Sequence, residues 1–572
     1  MERRTYDEEA TASASRRSVT GESMSRVRGL AWLIAGVITG IATSTAAVTL
    51  VIGGARPAGG ELGAPRFVEE ANAAGIVHRY DGGFPFFVGG GVAVFDCDDD
   101  GMPDVYLAGG ENEAALYRNV SAAASALRFE RVSSAETDLV DVAGVYPIDV
   151  DSDGQTDLAV LRVGENVMLR GTGGCRFEPA NDEWGIDGGN LWTAAFSAKW
   201  EGSASLPTLA FGNYAGLDET RRRAVGCSDN SLVRPAGAVY AAPIPLAPGY
   251  CTLSILFSDW DRSGRVDLRM TNDRHYYTGG EEQLWRVAAG ETPRRYTEEE
   301  GWQPMQIWGM GIASQDLTGD GLPEVFLTSQ GDNRLQTLSV GPGRPEYQDI
   351  AFERAATAHR PFTGGDVLPS TAWHAEFEDV NNDGLMDLFV SKGNVDSMTE
   401  YAANDPSNLL LGRSDGTFVE GAEDAGIVSF ARGRGAAVVD LNLDGLLDIV
   451  EVNRRAGVKL WRNVGAGTGD APVPMGEWLA LRLRQSGPNG DAIGSWIEVR
   501  TEAATIEHEV TIGGGHAGGQ LGWQHFGLDA ARAAEVRVTW PDGTRGSWQP
   551  VASGGFYTVA PGESPVPFVP AG

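Results

Sequence analysis

Short apolar runs alternating with small or polar residues recur along most of the chain, and they come in pairs. In GGVAVFD at 90–96 and DVYLA at 104–108 the side chains alternate at period two, the pattern of strands with one or both faces covered. An acidic, glycine-containing turn joins the two runs. The same unit returns five more times, with turns DCDDDGMPD from Asp96, DVDSDGQTD from Asp149, DWDRSGRVD from Asp259, DLTGDGLPE from Asp316, DVNNDGLMD from Asp379 and DLNLDGLLD from Asp440. The pattern therefore predicts an all-β chain of repeated hairpins.

The turns carry the first candidate chemistry. Oxygen side chains at positions 1, 3, 5 and 9 around a glycine at position 6 can wrap one hard cation, and calcium accepts such a set more readily than magnesium. The predicted ligands are Asp96, Asp98, Asp100 and Asp104; Asp149, Asp151, Asp153 and Asp157; Asp259, Asp261, Ser263 and Asp267; Asp316, Thr318, Asp320 and Glu324; Asp379, Asn381, Asp383 and Asp387; and Asp440, Asn442, Asp444 and Asp448. That gives up to six Ca2+ sites, with the Ser263 and Thr318 turns the weaker ones. An EF-hand is excluded, because it needs flanking helices and a bidentate Glu at position 12. Position 12 here is Leu107, Val160, Met270, Leu327, Val390 or Glu451. Asp, Asn and Gly also form ordinary turns, but six copies in one register favour the metal reading.

The first acids fall at 96, 149, 259, 316, 379 and 440, so one gap, 149 to 259, is about twice the others. A seventh unit without acids is expected inside it, at AAFSAKWEGSASLPTLAFG from Ala194 to Gly212. Each unit continues through segments such as ALYRNV and KLWRNV into an aromatic-led segment, giving four short strands per period, the description of a propeller blade. The last unit lacks its fourth strand, whereas an orphan copy, RFVEEANAAGI, precedes the first. Phe67 to Glu70 is therefore expected to complete the last blade and close a seven-bladed ring over 66–464. The third unit is expected to lose its fourth strand to an insertion from about Asn213 to Tyr250.

Other features set the compartment. Residues 29–55 carry no charge and are long enough to span a bilayer, and Arg16, Arg17, Arg26 and Arg28 precede them. The expectation is a cytoplasmic basic segment at 1–28, one transmembrane helix, and an extracytoplasmic body in the periplasm or at the cell surface; a cleaved signal and secretion is the alternative. Cys227 and Cys251 bracket the insertion and are expected to pair, whereas Cys97 is left open between a buried thiol and a bond to Cys175. With 45 basic against 78 acidic residues the net charge is −33, which argues against nucleic-acid binding.

From Glu477 the repeat stops and an alternating segment, WLALRLR to VRVTWPDGT, predicts a small β-sandwich over 476–560 followed by a loose tail at 561–572. The acidic turns with LYRN segments resemble VCBS or FG-GAP repeats. The motifs NGDAIGSWIEVRT, TIGGGHAGGQ, HFGL and VRVTWPDG resemble the ASPIC/UnbV domain. Together they resemble the cartilage acidic protein 1 family over about 66–560, although Asn489 to Ser495 matches the first ASPIC/UnbV hairpin only in part. That resemblance implies an extracellular, calcium-bound, non-enzymatic interaction module.

The expected function is thus an interaction, adhesion or scaffold propeller for a protein or glycan partner. A hydrolase or lyase is the alternative, because His275, Tyr276, Tyr277, Trp302, Trp308, Arg360, Trp373 and His374 fall on loops that a propeller gathers round its central funnel. No zinc-ligand spacing, G-x-S-x-G elbow or phosphate loop accompanies them.

Overall fold

The computed structural model describes residues 61–220, 223–273 and 279–570. The predicted membrane span and basic segment lie outside them, and among the described residues no helix is long and apolar enough to cross a membrane. The fold is all-β and fits a β-propeller. Seven successive four-stranded antiparallel units begin with the strands Val92–Phe95, Val142–Ile148, Leu191–Lys199, Thr252–Ser258, Gly309–Gln315, Ala372–Glu378 and Arg432–Val439. These seven leading strands contact one another in sequence, and the last contacts the first.

The acid-free unit lies where the double gap placed it, with Leu191–Lys199 paired to Thr208–Asn213. Its outer half corrects the expectation for the insertion. Residues 213–250 do not replace the fourth strand but supply the third and fourth, Asn230–Val233 and Ile244–Leu246. Ring closure follows the prediction: Arg66–Glu69 pairs with Lys459–Gly465, setting Phe67 opposite Asn463. This covers a sheet edge that would otherwise be open. Cys227 bonds to Cys251, and Cys97 bonds to Cys175, which ties the first acidic turn to the second unit.

The C-terminal region forms two four-stranded sheets. Glu477–Leu483 and Gln524–Asp529 belong to one, Trp496–Arg500 and Ala533–Thr539 to the other. Leu479, Leu481, Ile497, Val499, Phe526 and Val536 share a core between them. The tail expected to be loose is partly structured, because Val566–Phe568 pairs with Gly555–Val559 and Phe568 packs against Trp523 at 5.2 Å between ring centroids.

One segment of this domain leaves its sheets and runs through the middle of the ring. Gly513 bridges Leu256, Gly515 bridges Ile312, Gly518 bridges Val145, and Gly519–Gln520 pairs in parallel with Ala93 and Val94. All four partners belong to leading strands. The contact is backbone on backbone, so it needs residues without side chains. A Cβ on Gly91 would lie 1.8 Å from the Ala517 carbonyl oxygen, and one on Gly518 would lie 2.1 Å from that of Val92. Gly91, Gly144, Gly311 and Gly435 all stand five residues before the first position of their acidic turn. Six of the leading strands break register near this level, the local kink of a β-bulge.

Replacing Gly91 with Ala should therefore destabilise the protein by roughly 2 kcal/mol or more. Gly457→Ala, where an added Cβ meets nothing within 4 Å, should stay within about 0.5 kcal/mol of the parent. Urea unfolding of both variants checks the contrast.

Candidate cation turns at the domain interface

All six acidic turns have one geometry. The carboxylate at position 1 accepts the N–H of the position-6 glycine, at 2.8 Å for Asp96, 3.1 Å for Asp149, 3.0 Å for Asp259, 2.9 Å for Asp316, 2.6 Å for Asp379 and 2.7 Å for Asp440. That glycine is left-handed in every turn, with φ from 78° to 89°. Position 4 is left-handed too, although only one turn has glycine there: Asp99, Ser152, Arg262, Asn382 and Leu443 have φ between 55° and 62°. Such a conformation costs a non-glycine residue energy and persists because the surrounding structure holds it.

Position 9 has a second role that its composition did not disclose. Both oxygens of Asp104 accept backbone N–H groups, from Cys97 within the turn and from Asn119 on the third strand, each at 2.7 Å. Asp157, Asp387 and Asp448 repeat this with Val150 and Gly171, Val380 and Gly412, and Leu441 and Asn463. Glu324, one methylene longer, accepts the Leu317 N–H and the Thr337 hydroxyl. In four of the six turns the position-9 acid thus staples three backbone segments of its own unit.

The residues fit a cation best in the first two turns. Ligand oxygens of Asp96, Asp98 and Asp104 lie within 4.8 Å of one another, as do those of Asp149, Asp151 and Asp157. In the first turn the buried Oδ1 atoms of Asp96 and Asp98 have no hydrogen-bond partner. Burial foremost, then repulsion between neighbouring carboxylates, pushes Asp96 up to about 6 and Asp149 up to about 7. Asp157 is pushed up to about 9 by burial above all. The Asp259 turn differs, because Arg265 places its own guanidinium 3.3 Å from Asp261 and 3.0 Å from Asp267. Asp100, Asp153, Ser263, Thr318, Asp320, Asn381, Asp383, Asn442 and Asp444 occupy the remaining predicted positions. Of these, Asn442 points its amide nitrogen at Ser125 O and Asp444, and Asn381 points its own at the carbonyls of Leu62 and Gly63.

The C-terminal domain sits on this same set of turns, and it meets them largely through position 4. Ser152 Oγ accepts the Asn489 N–H at 3.0 Å. Arg262 pairs with Glu507 at 2.6 Å and lies 3.9 Å over the Trp496 ring. His525 Nε2 stands 2.7 Å from Asn382 Oδ1, and Leu443 packs with Trp478 and Phe556. Nothing in the sequence marked position 4, whose residues share no chemistry; only its fixed place two residues before the glycine could have singled it out.

The aromatic and histidine patch does not gather into one open surface. Trp302 is buried with Trp260, Leu284 and Tyr296, under the guanidinium of Arg269. Trp373 and His374 are buried in a leading strand, Trp308 is half-buried beside Tyr401, and Arg360 is exposed. His275, Tyr276 and Tyr277 lie outside the described residues. His374 is only 4% exposed: its Nδ1 accepts the His516 N–H at 3.1 Å, and its Nε2 stands 3.2 Å from Glu376. His516 is fixed in turn by Gly89 N at Nε2 and Met310 O at Nδ1, and burial pushes it down to about 3. The 513–520 segment occupies the place where a funnel would open to His374, leaving a cavity of about 180 Å³ lined by His374, Glu376 and Glu378 with Gly515 and Gln520.

Family comparison agrees with this architecture. The family described as FG-GAP-like repeat matches residues 96–160, 316–390 and 379–451, and the family described as ASPIC and UnbV matches 485–566. The chain thus carries FG-GAP-like repeats. It also carries, after them, an ASPIC and UnbV domain. No curated protein matches it. Among solved structures, BBS1N in complex with ARL6DN is similar at 10% identity and a TM-score of 0.38, over 66% of this chain and 93% of that one. An Agrocybe aegerita lectin that recognises non-reducing terminal N-acetylglucosamine is similar at 15% identity and 0.36, over 63% and 88%. The Bacillus licheniformis rhamnogalacturonan lyase PL11 is similar at 11% and 0.33, over 68% and 73%.

Two substitutions in one turn should separate stapling from cation binding. Asp104→Ala leaves two buried N–H groups unpaired and should cost roughly 2–4 kcal/mol in chelator, and more in calcium, because a ligand is lost as well. Asp98→Asn should leave the staples intact, relieve some repulsion in the cation-free form and reduce the gain from calcium. Urea unfolding in calcium and in EDTA distinguishes them.

Proposed function

We propose that the protein is a seven-bladed propeller whose acidic turns hold divalent cations, calcium by preference, and that it serves outside the cytoplasm as an interaction module for a protein or glycan. The observation that carries this reading is the first turn, where three carboxylates converge and two buried oxygens lack any partner. A bound calcium would supply the positive charge that offsets their mutual repulsion. Asp96, Asp98 and Asp104, with their counterparts in the second turn, would hold it, while the position-4 residues keep the C-terminal domain seated on the same turns. The two disulfides suit an oxidising compartment, consistent with an N-terminal membrane tether. With the acidic face covered by the C-terminal domain, the partner surface falls on the other face or the rim.

Calcium at a hundred times its Kd should stabilise the fold by about 2.7 kcal/mol per independent site, and EDTA should remove that gain. The gain should shrink as pH falls below about 9, then about 7 and about 6, the values of Asp157, Asp149 and Asp96. Carboxyls pushed up in this way carry protons that the ion must displace. Scanning calorimetry across pH, with metal content measured on the same samples, tests this. Unchanged melting in EDTA and no bound calcium would reject it.

A further inference from the structure

The end of the ring away from the acidic turns carries a cluster of positive charge, unexpected in a chain of net charge −33. It forms where Arg432–Val439 begins, where Asp448–Arg454 ends, and where the loops around Asp81 and Asp396 meet them. Three guanidinium groups converge on one oxygen, Asp396 Oδ1: Arg432 at 3.0 Å, Arg455 at 2.8 Å and Arg454 at 3.9 Å. Arg455 also reaches Asp81 at 3.4 Å, and Arg79 reaches the other oxygen of Asp81 at 3.1 Å. On the rim, Glu111 accepts the Gly83 N–H.

These carboxylates do not satisfy the arginines. Arg454 is 2% exposed, yet its Nε and Nη1 have no hydrogen-bond partner. Beside it Arg434 is fully buried and gives its bonds only to carbonyl oxygens, the shortest being those of Val395, Gly433 and Phe87 at 2.6, 2.7 and 2.8 Å. Burial foremost, and then the charge of Arg454, weakens the hold of Arg434 on its proton. Buried guanidinium without a paired anion is costly. The fork of an arginine matches the two oxygens of an oxyanion. Arg432 and Arg455 remain partly open to solvent, with side chains 33% and 42% exposed.

We propose that Arg432, Arg454 and Arg455 form an oxyanion site on this face, which takes a carboxylate, sulfate or phosphate group, with Asp396 as a built-in competitor. The site is independent of the cation turns, so chelation leaves it intact. Isothermal titration of the full chain with sodium sulfate, inorganic phosphate and sodium acetate, at an ionic strength fixed with chloride, tests it and ranks the three anions. At least one should bind with a Kd in the millimolar range or tighter. Arg432→Gln with Arg455→Gln should weaken that binding about tenfold or more, and Asp396→Asn should tighten it several-fold. The double arginine variant should keep the parent melting temperature, since its changed side chains are partly exposed, whereas Asp396→Asn removes the anion beside buried Arg454 and should lower it until an added anion takes its place. The proposal is overturned if none of the three anions binds beyond the chloride control, if the double arginine variant binds as tightly as the parent, or if Asp396→Asn weakens binding.

Discussion

The axis of this molecule is filled with backbone, and the rest of the structure is arranged around that constraint. Seven leading strands come together with a segment of the C-terminal domain running among them. Peptide groups of that segment bond to four of these strands at Gly513, Gly515, Ala517 and Leu521. A side chain at Gly513 or Gly518 would collide with a carbonyl, and one at Gly515 with the ring of His374. Because the filler belongs to a second domain, that domain cannot be treated as an appendage. It supplies polar partners to strands whose inner edges would otherwise face an empty channel, and unpaired buried peptide groups are costly.

The acids serve two ends of the same turn. At position 9 they act as internal staples, held almost wholly out of water by the strands they join. At position 1 of every turn burial makes the ionised form costly, and the oxygen side chains at positions 3 and 5 stand beside it. A turn that is geometrically complete and electrostatically frustrated is suited to coupling ion binding to rigidity. The Asp259 turn shows the other resolution, with Arg265 covalently part of the turn.

Much of this was legible in the chain. Period-two alternation gave the strands, the doubled gap between Asp149 and Asp259 gave the acid-free unit, and the orphan RFVE gave the closing strand. Three things were not legible. The third and fourth strands of the insertion, NSLV and IPL, are too short to show a period. The role of position 9 depends on which backbone N–H groups fold toward it, a tertiary fact. TIGGGHAGGQ reads as a glycine-rich loop, and only the glycines five residues before four acidic turns hinted at its docking place. His374 stands at that same offset, and its apparent promise as a base dissolves once its ring is seen bonded to the filler.

The order of the sequence also orders the assembly. The strand that seals the last sheet is made first, and the segment that occupies the middle is made near the end, after all seven leading strands have left the ribosome. Until that segment is made, the carbonyls of Ile255, Ile312 and Val94 lack the partners that they have in the finished fold. A chain that stalls there exposes the kind of surface that chaperones engage and neighbouring chains can invade.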